Sequence, residues 1–475
     1  MENGTSFVEF NQEGESFRDR VSTISKEGKR AWIFPKKPNG RFYDRRTVVS
    51  VIMLLLLFSG PFLKIDGHPL MLFNILERKF ILFGIAFWPQ DFNLFGLAML
   101  TFIVFIVLFT ALFGRLWCGW ACPQTVFMEM IFRKIEYLIE GDYQQQKALS
   151  AAPASPRKFF LKASKHLIFF AISFVIANTF LAYIIGLDQL KHIINQGPAM
   201  HMGGFIALVA FTGVFYFVFA WFREQVCLVA CPYGRLQGVL LDKNSVMIGY
   251  DYRRGEPRGK LRKNEEREIG DCIDCHQCVQ VCPTGIDIRN GTQLECVNCT
   301  ACIDACDAIM DRIEKPRGLI RYTSEEAIKT GQKFKVTTRI IAYSVVLIIL
   351  ITSLITLLAL RNDVEAIVLR TPGMLYQELS DNKVSNLYNV NLVNKTFENL
   401  PLTFRIVEPA GEIKWVGRDV NSIPEQGHFD GEFFIVLSRD VIEKSSTPVV
   451  VEITSNGKVL ETVKSNFIGP VKLQK

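Results

Sequence analysis

Cys272-Ile-Asp-Cys275-His-Gln-Cys278-Val-Gln-Val-Cys282-Pro283 and, thirteen residues later, Cys296-Val-Asn-Cys299-Thr-Ala-Cys302-Ile-Asp-Ala-Cys306 decide how this chain is read. Both runs have the spacing C-x2-C-x2-C-x3-C, the pattern of bacterial two-cluster ferredoxins. Three closely spaced thiolates wrap one corner of an iron–sulfur cube, and so short a loop cannot offer the fourth at the right angle. The fourth ligand is therefore expected from the other run. The expected sets are Cys272, Cys275, Cys278 and Cys306 on one [4Fe–4S] cluster, and Cys296, Cys299, Cys302 and Cys282 on the other. Zinc sites use four ligands in C-x2-C pairs, which two matched quartets exceed. Disulfides would need an oxidising compartment. Pro283 follows Cys282, but Asp307 follows Cys306, so the second loop is expected to leave its cubane differently, with a different potential. His276, between ligands, is expected at the surface or behind the ligands rather than on the metal.

Around this stretch the composition points to a membrane. The chain has 475 residues, 49% of them hydrophobic and 38 of them phenylalanine, and the apolar residues gather in runs. The net charge of +7 is no nucleic-acid signal, because the basic residues sit beside those runs. All twelve cysteines lie between Cys118 and Cys306, which suits a reducing side of the membrane for that stretch.

In chain order, residues 1–46 are polar and basic and read as a solvated tail, half ordered against the membrane face, without a signal peptide. Residues 47–65 form the first candidate span, broken near its end by Gly60-Pro61. Residues 66–93 carry Glu77, Arg78, Lys79 and Asp91, which argue against a simple span and for a folded or partly inserted loop. The second span is 94–113. An amphipathic helix follows to about Glu140, then a linker at 151–156, a third span at 166–186, a short loop with His192 and His201, and a fourth span at 203–222. The cluster stretch precedes a fifth span at 340–360. Each is long enough for a hydrocarbon core of about 30 Å. Beyond it, short strands around 387–392, 402–407, 433–437, 449–453 and 459–463, with a turn at Asn456-Gly457, suggest a small β-sandwich.

The fold class expected is thus a multi-domain membrane protein: about five transmembrane helices, a two-cluster ferredoxin-like α+β domain and a C-terminal all-β sandwich. Its parts are 1–46, a four-helix membrane domain at 47–243 with two C-x3-C-P motifs, the ferredoxin domain at 244–337, the fifth helix at 338–360 and the β-domain at 361–475. The first tail holds ten lysines and arginines and the segment between spans two and three holds eight, against three in the loop at 64–93 and one between spans three and four. By the positive-inside rule the clusters face the cytoplasm and the β-domain the periplasm.

Spans two and four each run into a second kind of motif, Cys118-Gly-Trp-Ala-Cys122-Pro123 and Cys227-Leu-Val-Ala-Cys231-Pro232. On a helix, i and i+4 sulfurs share one face about 6 Å apart along the axis. Such a pair can hold Cu(I), a soft ion that thiolates select. The two pairs could meet across one bundle or across a dimer. Buried packing cysteines and a redox disulfide are the alternatives. The chain shows no G-x-G-x-x-G dinucleotide fingerprint opening a helix after a strand.

The residues Gly114-Arg-Leu-Trp-Cys-Gly-Trp-Ala-Cys-Pro-Gln-Thr125, Phe87-Trp-Pro-Gln-Asp-Phe92, Val281-Cys-Pro-Thr-Gly-Ile-Asp-Ile-Arg-Asn-Gly291 and Pro316-Arg-Gly-Leu-Ile-Arg-Tyr322 resemble the cytochrome c oxidase accessory proteins called CcoG, FixG or RdxA. The resemblance runs from about Arg41 through the β-domain, which looks like the family's Ig-like module. It implies a bacterial inner-membrane polyferredoxin with two [4Fe–4S] clusters. It also implies reduction of Cu(II) to Cu(I) at Cys118, Cys122, Cys227 and Cys231 and passage of copper toward a cbb-type oxidase. Partners expected on this basis are a cytoplasmic or quinol electron donor, a copper exporter or chaperone, and oxidase assembly factors. Neighbouring readings are a quinol-oxidising ferredoxin subunit for another reductase, and an assembly scaffold.

Overall fold

The computed structural model describes all residues except 1–22, 24–29, 66, 76–78, 89–90, 261–269, 332–336, 381, 418–420, 443 and 471–475. Most of the N-terminal tail, together with Glu77 and Arg78 of the first loop, lies outside the described residues. The chain forms two compact units, Met1–Leu70 with Ala98–Ile351, and Met71–Leu97 with Thr352–Lys475.

Five helices are long and apolar enough to cross a membrane: Arg41–Phe62, Phe92–Phe113, Pro156–Ile185, Met202–Phe222 and Thr338–Ala359. Their apolar side chains are mostly uncovered by protein, with Leu55, Ile348 and Ile349 each at least 60% exposed. A water-facing surface would not keep such a band, and lipid supplies its solvent.

The sequence placed several of these boundaries differently. The first helix begins at Arg41, six residues early, because its N-terminus is capped from elsewhere. Gly40 has no side chain to cap it, and the Asp304 carboxylate accepts the Phe42 and Tyr43 amides at 3.1 and 2.8 Å instead. An acidic group at a helix N-terminus satisfies orphan amides and the helix dipole together. The third helix begins at Pro156, ten residues early: Ser155 caps it, accepting the Lys158 amide at 3.2 Å, and proline opens its first turn. Its charged first turns hid this start from a hydropathy reading. The expected break at Gly60-Pro61 is a short 3-10 turn, Gly60–Phe62, that continues the helix. Glycine is needed there because a Cβ would collide with the Tyr183 hydroxyl, which donates to the Leu57 carbonyl at 2.8 Å. The expected loop around His192 contains a helix, Leu187–Gln196.

Residues 30–46 are no solvated tail. Lys36 donates its amide to the Gln280 carbonyl at 2.8 Å, the Pro35 carbonyl accepts from Tyr137 at 3.1 Å, and the Lys37 amide donates to Asp142 at 2.9 Å. These backbone contacts tie the segment to the cluster stretch and to the helices after span two.

In the second unit the strands expected from alternation match Lys383–Asn394, Thr403–Glu408, His428–Ser438, Ser446–Ser455 and Lys458–Ile468, the second beginning one residue later than expected. One sheet has the order Gly411–Trp415, His428–Ser438, Lys383–Asn394, Val364–Arg370. The other has the order Thr403–Glu408, Ser446–Ser455, Lys458–Ile468, and both are antiparallel. Between them Tyr388, Phe433, Ile435, Leu437, Val449, Val451, Ile453 and Phe467 are fully buried. Of the two readings of this loop, folded or partly inserted, the structure bears out the folded one: a three-stranded meander, Met71–Asn74, Lys79–Leu82 and Ile85–Phe87, within this same unit. Phe397 packs on its Leu72, Ile81 and Ala86, and buried Asp91 pairs with Lys395 at 2.7 Å and Arg361 at 2.6 Å. Asp91 is therefore a docking charge, not a sign of lost apolarity.

Candidate iron–sulfur and thiol sites

The two C-x2-C-x2-C runs fold alike. In each, the residues on either side of the middle cysteine have positive φ: Asp274 and His276 at 53° and 55°, Asn298 and Thr300 at 53° and 68°. Aspartate, histidine and asparagine tolerate this region, whereas a β-branched threonine rarely adopts it. Thr300 is held there fully buried, its hydroxyl donating to the Cys299 carbonyl at 2.6 Å. Paired left-handed residues turn the chain sharply around a centre and point the cysteines inward.

Two cavities result. One is lined by Cys272, Cys275, Cys278 and Cys306 with His276, Arg289 and apolar neighbours. The other is lined by Cys282, Cys296, Cys299 and Cys302 with Cys278, Thr284 and apolar neighbours. The first cavity thus meets three cysteines of the first run and one of the second, and the other meets three of the second run with Cys282 and Cys278 of the first; most of the remaining lining residues are apolar. Soft sulfur donors, no competing carboxylate in the wall and exclusion of water fit an iron–sulfur group. Among the described residues no three histidine, cysteine, aspartate or glutamate side chains are set to hold a single ion, as a four-cysteine zinc site would require. His276 lines the first cavity, its Nδ1 3.0 Å from an Arg289 nitrogen and its Nε2 3.3 Å from Asp274. Asp307, which stands where the first run has a proline, accepts the Gly318 amide at 2.9 Å and so anchors the turn after the second run.

The two C-x3-C-P motifs come together in one chain. Neither motif is one continuous helix, as the proline after each second cysteine leads one to expect. Leu116–Trp120 ends before Cys122, which has extended backbone and stands at the N-cap of a new helix opened by Pro123. Cys227 lies in a π-helical turn, Val226–Ala230, and Cys231 is likewise extended before Pro232–Leu240. The proline forces this: its ring disfavours helical backbone in the residue before it. The motifs are joined by Cys118, which donates to Gln237 Oε1 at 3.2 Å, and by Arg115, whose guanidinium donates to the Gly234 carbonyl. Burial pushes the Cys118 thiol up to about 11; Cys122 and Cys231 push the same way and Arg115 opposes them. Burial, then Cys122, Cys118 and Cys231, push Cys227 up to about 12. These thiols hold their protons at neutral pH, and a thiophilic ion must displace them.

Gly119 places the first motif against the second cysteine run. A Cβ there would lie 2.5 Å from both the Val297 and Asn298 carbonyl oxygens, so only glycine permits the approach. Trp120 Nε1 donates to the Tyr322 hydroxyl at 3.0 Å, and that hydroxyl donates to the Asn298 carbonyl at 3.5 Å.

Sequence reasoning missed the charged layer beside these motifs. Arg133, Glu136, Glu140, Lys165, Arg223 and Glu224 are all at most 7% exposed. Glu140 pairs with Lys165 at 2.9 Å, Glu136 with Arg223 at 2.5 Å, and Glu129 with Arg133 at 3.1 Å. Burial alone would raise the Glu136 carboxyl, but Arg223, Lys165 and Arg133 outweigh it and hold it at about 2. The signal was present as Glu129, Arg133, Glu136 and Glu140 at three- and four-residue spacing, which shares one helix face.

Three family models match the chain: a 4Fe-4S dicluster domain over residues 222–325, a 4Fe-4S binding domain over 95–139, and the "IG-like fold at C-terminal of FixG" over 354–470. Protein RdxB of Cereibacter sphaeroides is 35% identical over 396 residues, 80% of this chain and 82% of that protein. Protein RdxA of the same organism is 35% identical over 396 residues, covering 80% and 83%. Nitrogen fixation protein FixG of Rhizobium meliloti is 38% identical over 306 residues, covering 62% and 58%.

Proposed function

The chain belongs to the FixG/RdxA family of iron–sulfur electron-transfer membrane proteins, and within it we propose a cupric reductase that supplies Cu(I) for assembly of a cbb-type cytochrome c oxidase. One observation carries this reading: Gly119, between Cys118 and Cys122, rests its backbone on the Val297–Asn298 peptide of the second cysteine run. Thiols suited to a soft ion therefore adjoin a site suited to a one-electron carrier.

In this reading Cys272, Cys275, Cys278 and Cys306 hold one [4Fe–4S] cluster and Cys296, Cys299, Cys302 and Cys282 the other. When bound, these groups supply single electrons. Cys118, Cys122, Cys227 and Cys231 bind copper as substrate through sulfur, and any thiol proton that copper displaces leaves to water. Thiolates favour Cu(I) over Cu(II), which raises the potential of the bound ion and eases its reduction. One electron reduces one Cu(II), so single-electron carriers match the acceptor. The clusters face the cytoplasm and the β-sandwich the periplasm, as the basic flanks suggest. Copper then passes to an exporter or chaperone and on to oxidase assembly factors, the β-sandwich offering them a docking face. In this reading the pairs act within one chain, where Cys118 and Gln237 join the motifs.

The test is anaerobic Cu(II) reduction by cluster-loaded protein. Changing Cys118 and Cys122 to alanine should lower copper binding and reduction while iron content stays at about eight per chain, two cubanes. Reduction at the parent rate would remove the thiols from the path. Cys282→Ser should damage the cluster held mainly by the second run; loss of the other instead would overturn the crossed ligand sets. A reporter fused after residue 475 should work only if it functions in the periplasm.

A second reading, oxidation of a quinol, is favoured by one feature. A groove facing the lipid is lined by Ile103, Ile106 and Val107 of span two and by Pro232, Tyr233 and Leu236. Tyr233 sits 3.4 Å from the Thr110 hydroxyl and one helical turn before Gln237, the acceptor of Cys118. If this reading holds, a short-chain quinol bleaches the oxidised protein, and Tyr233→Phe slows the bleaching.

A further inference from the structure

The two cysteine runs fold alike but stand in opposite electrostatic settings. Beside the first, Arg289 is buried and neutralised twice over. It pairs with Asp287 at 2.6 Å and with Asp274. Arg254, whose charge also acts on Cys306, is taken up by Asp271, which holds Lys315 at 2.7 Å as well. Asp307 adds a further carboxylate next to Cys306.

Beside the second run two arginines are buried with no carboxylate at ion-pair distance among the described residues. Arg115 is 6% exposed; it donates to the Gly234 carbonyl, and its Nε has no partner. Arg46 is 3% exposed; its Nε donates to the Gly119 carbonyl at 2.6 Å, and one terminal nitrogen has no partner. Arg115 acts on Cys296 and Cys118, and Arg46 on Cys299. The one acid that opposes them at Cys299, Glu129, is itself paired with Arg133 at 3.1 Å. A buried, unpaired guanidinium is costly unless an anion answers it. Cysteine-ligated iron–sulfur groups are net anions, and reduction adds one more negative charge. A fixed cation in a dry site stabilises that added charge, whereas a cation already paired with carboxylates does not.

We infer that Arg46 and Arg115 are positioning residues that make the second cysteine run the stronger electron acceptor of the two, so that electrons move from the first site to the second and onward to the thiols that Gly119 brings against it. The step is a one-electron transfer: the first site is oxidised, the second reduced, and no bond or proton moves. This rests on the division of ligands between the two cavities, which Cys282→Ser tests separately through which cluster loses iron.

The experiment is an EPR-monitored redox titration of purified, cluster-loaded, full-length protein. The signal of the second-run site is assigned as the one altered in Cys299→Ser. In the parent this signal should appear at the higher potential. Arg115→Gln should lower its reduced-to-oxidised ratio at fixed poise at least tenfold, a shift of about 59 mV for one electron, and leave the first signal in place. Arg115→Lys, which keeps the charge, should restore most of the shift. Asp274→Asn should raise the first signal and narrow the gap. A first-run signal at the higher potential, or an Arg115→Gln protein with full iron content and both signals unmoved, overturns the inference. If Arg115→Gln does not take up iron, Arg46→Gln and Asp274→Asn decide: unmoved signals in both overturn it as well.

Discussion

The β-sandwich core and the charged layer beside the thiol motifs are equally dry, yet they are held together by opposite means. In the sandwich, Tyr388, Phe433, Ile435 and Val451 are fully buried among apolar neighbours, and each contributes by leaving water. In the charged layer, Arg133, Glu136, Lys165, Arg223 and Glu224 are almost as buried and each is tolerated only because its partners are there. Apolar packing is graded, and losing a methyl group costs about what a methyl group is worth. A buried ion network is conditional, and losing one member strands the rest. The layer therefore suits a junction of spans, thiols and cysteine runs that must keep one geometry, and the sandwich suits a module that can vary its surface.

Glu136→Gln removes one carboxylate from Arg223, Lys165 and Arg133, and should cost about 3–5 kcal/mol locally, the usual result of stranding buried charge. Hydrogen exchange of peptides spanning 126–140 reads this directly; a cost below about 1 kcal/mol would show that the layer is not conditional.

Acidification should separate the two regions next. Glu136 is held at about 2 against an ordinary 4.5, so its stabilisation is complete above pH 4.5 and is lost as pH falls from there toward 2. At 1.36 kcal/mol per unit this amounts to about 3 kcal/mol. Glu461 in the sandwich has the opposite sign: burial holds its carboxyl above the ordinary range, although it accepts the Ala366 amide. Its contribution is lost as pH rises, so acid should loosen peptides 126–140 while those around 461 exchange no faster.

A smaller effect sharpens the contrast. Ile435→Val deletes one methyl group from the sandwich and should cost about 0.5–1.5 kcal/mol. The slowed amides of 383–394 and 428–438 report it, and the visible absorption of the iron–sulfur groups should not change. The smallest effect isolates burial from charge. Arg405 and Glu452 pair at 2.9 Å across two strands, but Arg405 is 69% exposed. Arg405→Ala should cost no more than about 1 kcal/mol; a loss rivalling that of Glu136→Gln would mean that pairing, not burial, makes the inner layer conditional.

Much of this protein was legible from one dimension. Five spans follow from runs of apolar residues, because a bilayer asks only for length and composition. The strands around Val449, Val451 and Ile453 follow from alternation, because a sheet with one dry face repeats every two residues. The eight cysteines of the two runs could be recognised because their spacing is set by a rigid inorganic group. What lay beyond reach were contacts between residues distant in sequence. Nothing local says that Asp304 caps a helix that starts at Arg41, that Asp91 docks a loop on Lys395, or that Gly119 meets Val297 and Asn298. The C-x3-C spacing put both sulfurs of a pair on one helix face, whereas Cys122 and Cys231 have extended backbone before Pro123 and Pro232. Only the tertiary structure joined the two motifs through Cys118 and Gln237, and only it separated the neutralised Arg289 from the unneutralised Arg46 and Arg115. The physical reason is the same throughout. Periodicity and ligand spacing are local constraints that a sequence must carry, whereas capping, charge compensation and close backbone approach depend on which distant segment fills the space.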